Sequence, residues 1–211
     1  MIRKPIINNK HKICIIVEGF EEYFYLNRLL ELDVWNPNYQ FAVINAKSAS
    51  NIFPRYQDAY SNDKYELIIV FCDTDRNPYI QYVLIKNKID DFHHSKKASK
   101  SVVIFANPCT MQIILSHFGD ISLSTQAKKV NASFIEKLTG VKHYSAKEEQ
   151  IKTICNMIYK RSYEVMKERV RKINFEDSKC PSTNFSIFLD NFESSDERWI
   201  DKINKILSKN D

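Results

Sequence analysis

Apolar positions along the chain fall first into short continuous runs and later into helical stripes. Ile13-Cys14-Ile15-Ile16-Val17 is an unbroken, mostly β-branched run, the pattern of a strand covered on both faces. Tyr65 to Cys72 and Ser101 to Ala106 repeat that pattern, and Tyr39 to Ile44 reads as one more strand. The intervening stretches change period. Tyr23, Leu26, Leu29 and Leu30 share a helical stripe, as do Ile52, Tyr56 and Tyr60, and Ile80, Val83, Leu84 and Ile85 mark a third helix from Pro78 to His93. The second of these spans Ala46 to Ser61, where Pro54 belongs near the start. Alternating strands and helices predict an α/β fold with a mostly parallel sheet flanked by helices. Beyond Pro108 the signal is helical. Met111 to Phe118, Ala127 to Leu138, Lys147 to Ile173, Asn184 to Phe192 and Trp199 to Leu207 are the candidates, with Gly119-Asp120 and Gly140 as stops. The expected organisation is an α/β core over residues 1–118 and a helical C-terminal half, residues 119–211, packed on it.

Composition narrows this picture only slightly. A chain of 211 residues, 44% of them hydrophobic, can bury one sizeable core. It has no apolar run of about 18 residues and no charged-then-apolar leader at Met1-Ile2-Arg3-Lys4. No membrane association and a cytoplasmic location are therefore expected, with residues 1–11 as a polar, basic arm. The five cysteines, Cys14, Cys72, Cys109, Cys155 and Cys180, form no C-x-x-C pair and read as small hydrophobes of a reducing compartment. A net charge of +5 permits an anionic partner without requiring one.

Candidate chemistry sits where strands end. Glu18 follows the first strand and precedes Gly19, one of only three glycines, at a sharp turn into a helix that suits glycine's backbone freedom. Asp73-Thr74-Asp75 follows a later strand, and carboxylates at i and i+2 on an extended chain point the same way. If those strands are parallel neighbours, Glu18, Asp73 and Asp75 converge at the sheet edge where ligands of open α/β sheets bind. Close carboxylates raise one another's pKa unless a cation lies among them, and Mg²⁺ or Mn²⁺ suits oxygen donors. Arg76, beside the D-T-D, is a candidate phosphate contact. Lys160, Arg161, Lys167, Arg169 and Arg171, interleaved with Tyr159 and Tyr163, form a candidate nucleic-acid-binding helix face, with Lys96 and Lys97 in a basic loop as a second patch. A solvated face is the alternative for each. His117 is a candidate general acid by its ordinary pKa, or else a buried or capping histidine. His93 and His94 read as surface residues, and Trp199 as an exposed aromatic that could serve an oligomer interface.

Val17-Glu18-Gly19 and Asp73-Thr74-Asp75 together resemble the Toprim fold of primases, topoisomerases and OLD-type nucleases. Glu22 matches the second glutamate of the OLD-like branch. The chain is most similar to the RloB-like family, which includes the partner of the lactococcal AbiL abortive-infection system. Its E-G-x-T-E-x-x-Y motif is represented by Glu18, Gly19, Glu21 in place of Thr, Glu22 and Tyr25. Asn107-Pro108-Cys109 and His117-Phe118 resemble the ends of its N-P-S-F-E-x-W-L-L-L-H-F segment, and Pro181-Ser182-Thr183 its later N-P-S-T. The chain departs at Thr110-Met111, where that segment has Phe-Glu, and at Ile113, which stands for the Trp. The resemblance implies a Toprim-like core and a nuclease of RNA, including tRNA, or DNA, in anti-phage defence. Glu18, Glu22, Asp73 and Asp75 would hold one or two Mg²⁺ or Mn²⁺ ions, with His117 beside them. It also implies a separate ABC-type or AAA-type ATPase partner, since no P-loop is present here. The altered Met111 keeps open a non-catalytic subunit that binds its ATPase or nucleic acid. A topoisomerase or primase would need domains that a chain of this length does not supply.

Overall fold

In the computed structural model, which describes residues 10–75 and 79–208, the continuous apolar runs become the central strands of one sheet. Most of the basic arm, Arg76 and Pro78 lie outside the described residues. Strands β1 (His11–Val17), β2 (Tyr39–Asn45), β3 (Leu67–Asp73) and β4 (Val103–Asn107) are parallel, and the two-residue β5 (Ser182–Thr183) adds antiparallel to β4. The spatial order is β2-β1-β3-β4-β5. From Ile13 to Val17 every residue of β1 is buried, as expected of a strand with neighbours on both edges and helices on both faces.

Strand order fixes where a site belongs. From β1 the chain passes through α1 (Phe20–Glu31) outward to β2, then returns through α2 (Ala49–Ser61) across β1 to β3. Right-handed crossovers in opposite directions put α1 and α2 on opposite faces. The chain thus diverges between the carboxyl ends of β1 and β3, the switch point at which open α/β sheets bind ligands. With Val17 opposite Phe71, the register sets the residues that follow the two strands side by side at that point.

Helices α3 (Ile80–Phe92) and α4 (Ala98–Val102) join the α2 face, whereas α7 (Glu148–Asn156) packs on α1, and α8 (Lys160–Val170) packs on α5 (Met111–Leu115) and α9 (Phe185–Glu193). Helix α10 (Arg198–Leu207) closes the amino edge of the sheet. Along it, Trp199 Nε1 donates to Tyr39 OH at 2.9 Å, Asn204 Nδ2 to the Glu66 carbonyl at 3.0 Å, and the Leu207 carbonyl bonds His93 Nδ1 at 3.0 Å. Trp199 is therefore core, not an exposed interface residue, and its indole has a buried hydroxyl as partner. His93 is likewise buried, contrary to its expected surface place. Tyr56 OH meets its other nitrogen at 2.8 Å, and burial lowers its pKa, so it stays neutral between two partners.

Three local expectations also change. The segment from Lys96 to Lys100 is not a loop throughout, because α4 buries Ala98 and Ser99, and the Asp90 carboxylate accepts from Ser99 N–H at 2.7 Å. Pro54 lies in the second turn of α2 rather than near its start, where its missing N–H leaves one helical carbonyl without that donor. Of the apolar residues expected to bury α3, only Ile85 does so, joined by Tyr82 and Ile89, while Ile80, Val83 and Leu84 face solvent.

Candidate metal centre

Backbone geometry delivers carboxylates to the switch point from three places. Glu18 directly follows β1, and its N–H continues the ladder to the Phe71 carbonyl at 3.3 Å. Asp73 ends β3. Helix α1 begins at Phe20 and brings Glu21 and Glu22 on its first turn, where negative charge also suits the helix dipole. Gly19 is extended there (φ −147°, ψ −160°), and an added Cβ would meet nothing closer than Glu22 Oε2 at 3.6 Å. The turn therefore does not require glycine, contrary to the sequence expectation. Gly140, with φ +74° after α6 (Lys128–Thr139), is where glycine's backbone freedom is used.

Glu18, Glu21, Glu22, Asp73 and Asp75 all line one pocket of about 250 Å³. Within it, one oxygen from each of Glu21, Glu22 and Asp73 lies within 4.8 Å of the others. Glu22 and Asp73 were candidates from sequence, whereas Glu21 was noted only as a departure from a motif. Its signal was present in the run Glu18-Gly19-Phe20-Glu21-Glu22, three carboxylates at the mouth of one helix. Asp75 reaches the pocket by another route than expected. It has a left-handed backbone (φ 58°), so the pair does not arise from i, i+2 alternation along an extended strand.

The carboxylates are held rather than loosely gathered. Thr110 donates both its N–H (2.7 Å) and its hydroxyl (2.8 Å) to Asp73 Oδ1. Gly19 N–H donates to Glu22 Oε2 at 2.9 Å, so Glu22 also caps its own helix. Tyr144, from the loop after α6, donates its hydroxyl to Glu21 Oε1 at 2.7 Å. Burial, reinforced by Glu22 and Asp75, pushes the Glu18 carboxyl up to about 8. Burial and then Glu21 push Glu22 up to about 7. Asp73 is driven well above its ordinary range by burial and by the three neighbouring glutamates. Lys128, on the far wall, is the one cationic side chain lining the pocket among the described residues.

The roof comes from the helical half. Ile135 of α6, Ile151 of α7, Tyr144 and Lys128 face the carboxylates, and Met111 and Cys109 enter from the segment after β4. Cys109 and Met111 stand out in the sequence only through the family segment, and Lys128, Ile135, Tyr144 and Ile151 carry no signal of a site, because only tertiary folding brings them to the sheet edge.

Other candidate residues stand elsewhere. His117 does not line the pocket. The single Ser162 hydroxyl proton goes to the Tyr159 carbonyl at 2.8 Å, so His117 Nδ1–H donates to Ser162 Oγ at 3.2 Å, while Tyr25 OH donates to Nε2 at 3.1 Å. Burial then lowers its pKa to about 3. It is a neutral bolt between α1, α5 and α8, not a general acid placed at the carboxylates. Its stabilising contribution is complete above the ordinary histidine pKa of about 6.5 and is lost as pH falls from there toward about 3. In an NMR titration the His117 ring should not protonate above about pH 4; a midpoint between about 6 and 7 would contradict this arrangement.

The basic face of α8 is largely occupied. Lys167 is buried against Glu193 (2.8 Å) and Glu164 (3.0 Å), Arg169 donates to the Ser116 carbonyl at 2.7 Å, and Arg171 pairs with Asp190. Lys160 and Arg161 remain exposed, but the continuous five-residue basic track expected from sequence is not present, because its distal members pair with groups from other elements. Lys96 and Lys97 are exposed just before α4, at the amino rim of the sheet and opposite the carboxylates. Arg76 lies outside the described residues.

No family model, curated protein or solved structure matches the chain. Among the described residues, no helix is long and apolar enough to cross a membrane.

Proposed function

We propose that this pocket is the centre of a divalent-cation-dependent phosphodiesterase acting on RNA or DNA, as the RloB-like resemblance implies, in anti-phage defence and with a partner ATPase. The observation that carries this reading is the convergence of five carboxylates at the switch point of a parallel sheet, three of them within 4.8 Å. The donors fit the cation. All are hard oxygens, their mutual repulsion is what a divalent ion relieves, and Thr110, Gly19 and Tyr144 hold three of them from behind. Glu21, Glu22 and Asp73 would form the inner set, with Glu18 and Asp75 beside them. Bound Mg²⁺ or Mn²⁺ would supply Lewis-acid charge at the phosphate and make water a better nucleophile at neutral pH. Glu18, outside the closest trio, is the residue placed to take a proton from an attacking water. Lys128 faces the carboxylates from the roof and is placed to contact a phosphate oxygen.

A non-catalytic role is favoured by one residue, Met111, which lines the pocket where the family pattern has glutamate. Glu21 answers it. It stands where that pattern has threonine and lines the same pocket, so a carboxylate absent from one wall is supplied by another. Purified protein should therefore cut RNA or DNA with Mn²⁺ and not with EDTA. Glu21→Thr should lose more than about 100-fold, beyond the 10–100-fold usual for groups behind a metal ligand. Adding Met111→Glu to that variant should restore part of the activity. Absence of cutting by the wild-type protein under every metal and partner condition would favour the non-catalytic subunit.

A further inference from the structure

Phe20 is the first residue of α1, two positions after Glu18, and it lines the carboxylate pocket although 44% of its surface is exposed. Its ring stacks on Phe24 with centroids 5.7 Å apart and planes 14° from parallel. Lys152 Nζ lies 5.0 Å from the centre of the Phe24 ring, so the pair is backed by a cation from α7. A supported aromatic face at the mouth of a phosphate-cleaving pocket is the arrangement on which an unpaired base stacks, whatever its sequence. The pocket's small size is consistent with the same class of ligand. Glu22 is only 3% exposed, Glu18, Glu21, Asp73 and Asp75 are half-buried, and Tyr144, Ile135 and Ile151 line the same pocket. At about 250 Å³ the pocket falls below the usual 300–1,000 Å³ of ligand sites, room for about one nucleotide at a time. A duplex would have to unpair and unstack a nucleotide before one of its bases could seat on Phe20, a cost that a single strand does not carry.

We infer that the substrate is single-stranded nucleic acid, seated with one unpaired base on Phe20 and the adjoining phosphate over the carboxylates. This assignment rests on the phosphodiesterase reading of the pocket. It is tested by fluorescence anisotropy at fixed salt, with Ca²⁺ present, using labelled 12-nucleotide single-stranded RNA, single-stranded DNA and the matching duplex. The wild-type protein should bind at least one single strand more tightly than the duplex. Phe20→Ala should weaken that binding by about 5–100-fold, the range expected for one stacked base, while Phe20→Tyr retains it. Duplex binding and Mn²⁺ affinity should be the same in all three proteins. Equal binding of duplex and single strands, or single-strand binding indifferent to Phe20→Ala, would overturn the assignment. A parallel Mn²⁺ cleavage assay separates the two proposals. Phe20-dependent single-strand binding without cleavage supports this substrate class and removes the phosphodiesterase reading, whereas cleavage that prefers duplex and ignores Phe20 does the reverse.

Discussion

Replacing Asp73 by Asn should make the metal-free protein more stable and abolish its response to Mn²⁺. Both Thr110 bonds end on Asp73 Oδ1, and an Asn side chain keeps that oxygen as an acceptor, so the support behind the residue survives. What disappears is a buried charge facing Glu22, Glu21 and Glu18, the carboxylates that together with burial drive the Asp73 pKa upward. The sign follows from that direction. Carboxyls whose folded pKa is raised stabilise the fold fully below their unfolded values near 4, and lose that contribution as pH rises through the folded values, about 7 for Glu22 and about 8 for Glu18. Without a cation the wild-type protein should therefore lose stability from this source between about pH 4.5 and 8. Asp73→Asn should therefore gain stability over the wild-type protein as pH rises, more at pH 8 than at pH 6. A single stabilising substitution is commonly worth about 0.5–2 kcal/mol, which for a chain of this length is a rise of about 1–8 °C in Tm. Thermal melts in EDTA at pH 6 and pH 8, repeated with Mn²⁺, measure it. A variant less stable than wild type at pH 8 in EDTA would show that the carboxylates do not strain the fold.

Phe185→Ala should cost about 4 kcal/mol and lower Tm by roughly 8–16 °C. Phe185 opens α9 and is completely buried. Its ring stacks on Phe71 of β3 at 5.4 Å, tilted 17°, and lies 6.0 Å from Tyr25 of α1. Those two elements carry Asp73 and Glu22, so a cavity at Phe185 loosens both walls of the pocket at once. Ile187→Ala, two residues along the same helix at a position 52% exposed, is the control and should cost less than about 0.5 kcal/mol. Chemical denaturation of the two variants decides the matter. Similar small losses for both would mean that the helical half is not part of the core that positions the site.

The parts of the fold visible in sequence were those whose signal is local. Buried parallel strands read as continuous apolar runs because both faces are covered, and β1 and β3 show this from Ile13 to Val17 and from Leu67 to Cys72. Of the five acidic residues lining the pocket, Glu18 and Asp73 were legible because strand ends mark the binding edge of an α/β sheet, Asp75 through an alternation that its left-handed backbone does not follow, and Glu22 only through the family resemblance. Glu21 was visible as a residue but not as a member of the tight trio, which depends on how α1 is seated on the sheet. Side chains whose partners lie far along the chain were misread or left between two readings, as His117 was between a general acid and a buried histidine. Lys167 finds Glu193, His117 finds Tyr25 and Ser162, and His93 finds Tyr56 and the Leu207 carbonyl. Periodicity tells which face of a helix is apolar, but not which charge on the polar face another element will neutralise. The roof of the pocket was invisible for the same reason: Lys128, Tyr144 and Ile151 belong to a half of the chain whose place over the sheet edge is set by packing alone.

The proposed phosphodiesterase requires that the trio of Glu21, Glu22 and Asp73 hold a divalent cation. A crystal soaked in Mn²⁺, with anomalous scattering recorded at the manganese edge, would locate the ion. A peak about 2.2 Å from oxygens of at least Glu22 and Asp73, and absent from Asp73→Asn crystals, is the predicted result. Manganese bound elsewhere on the protein, with no density among these carboxylates, would contradict it.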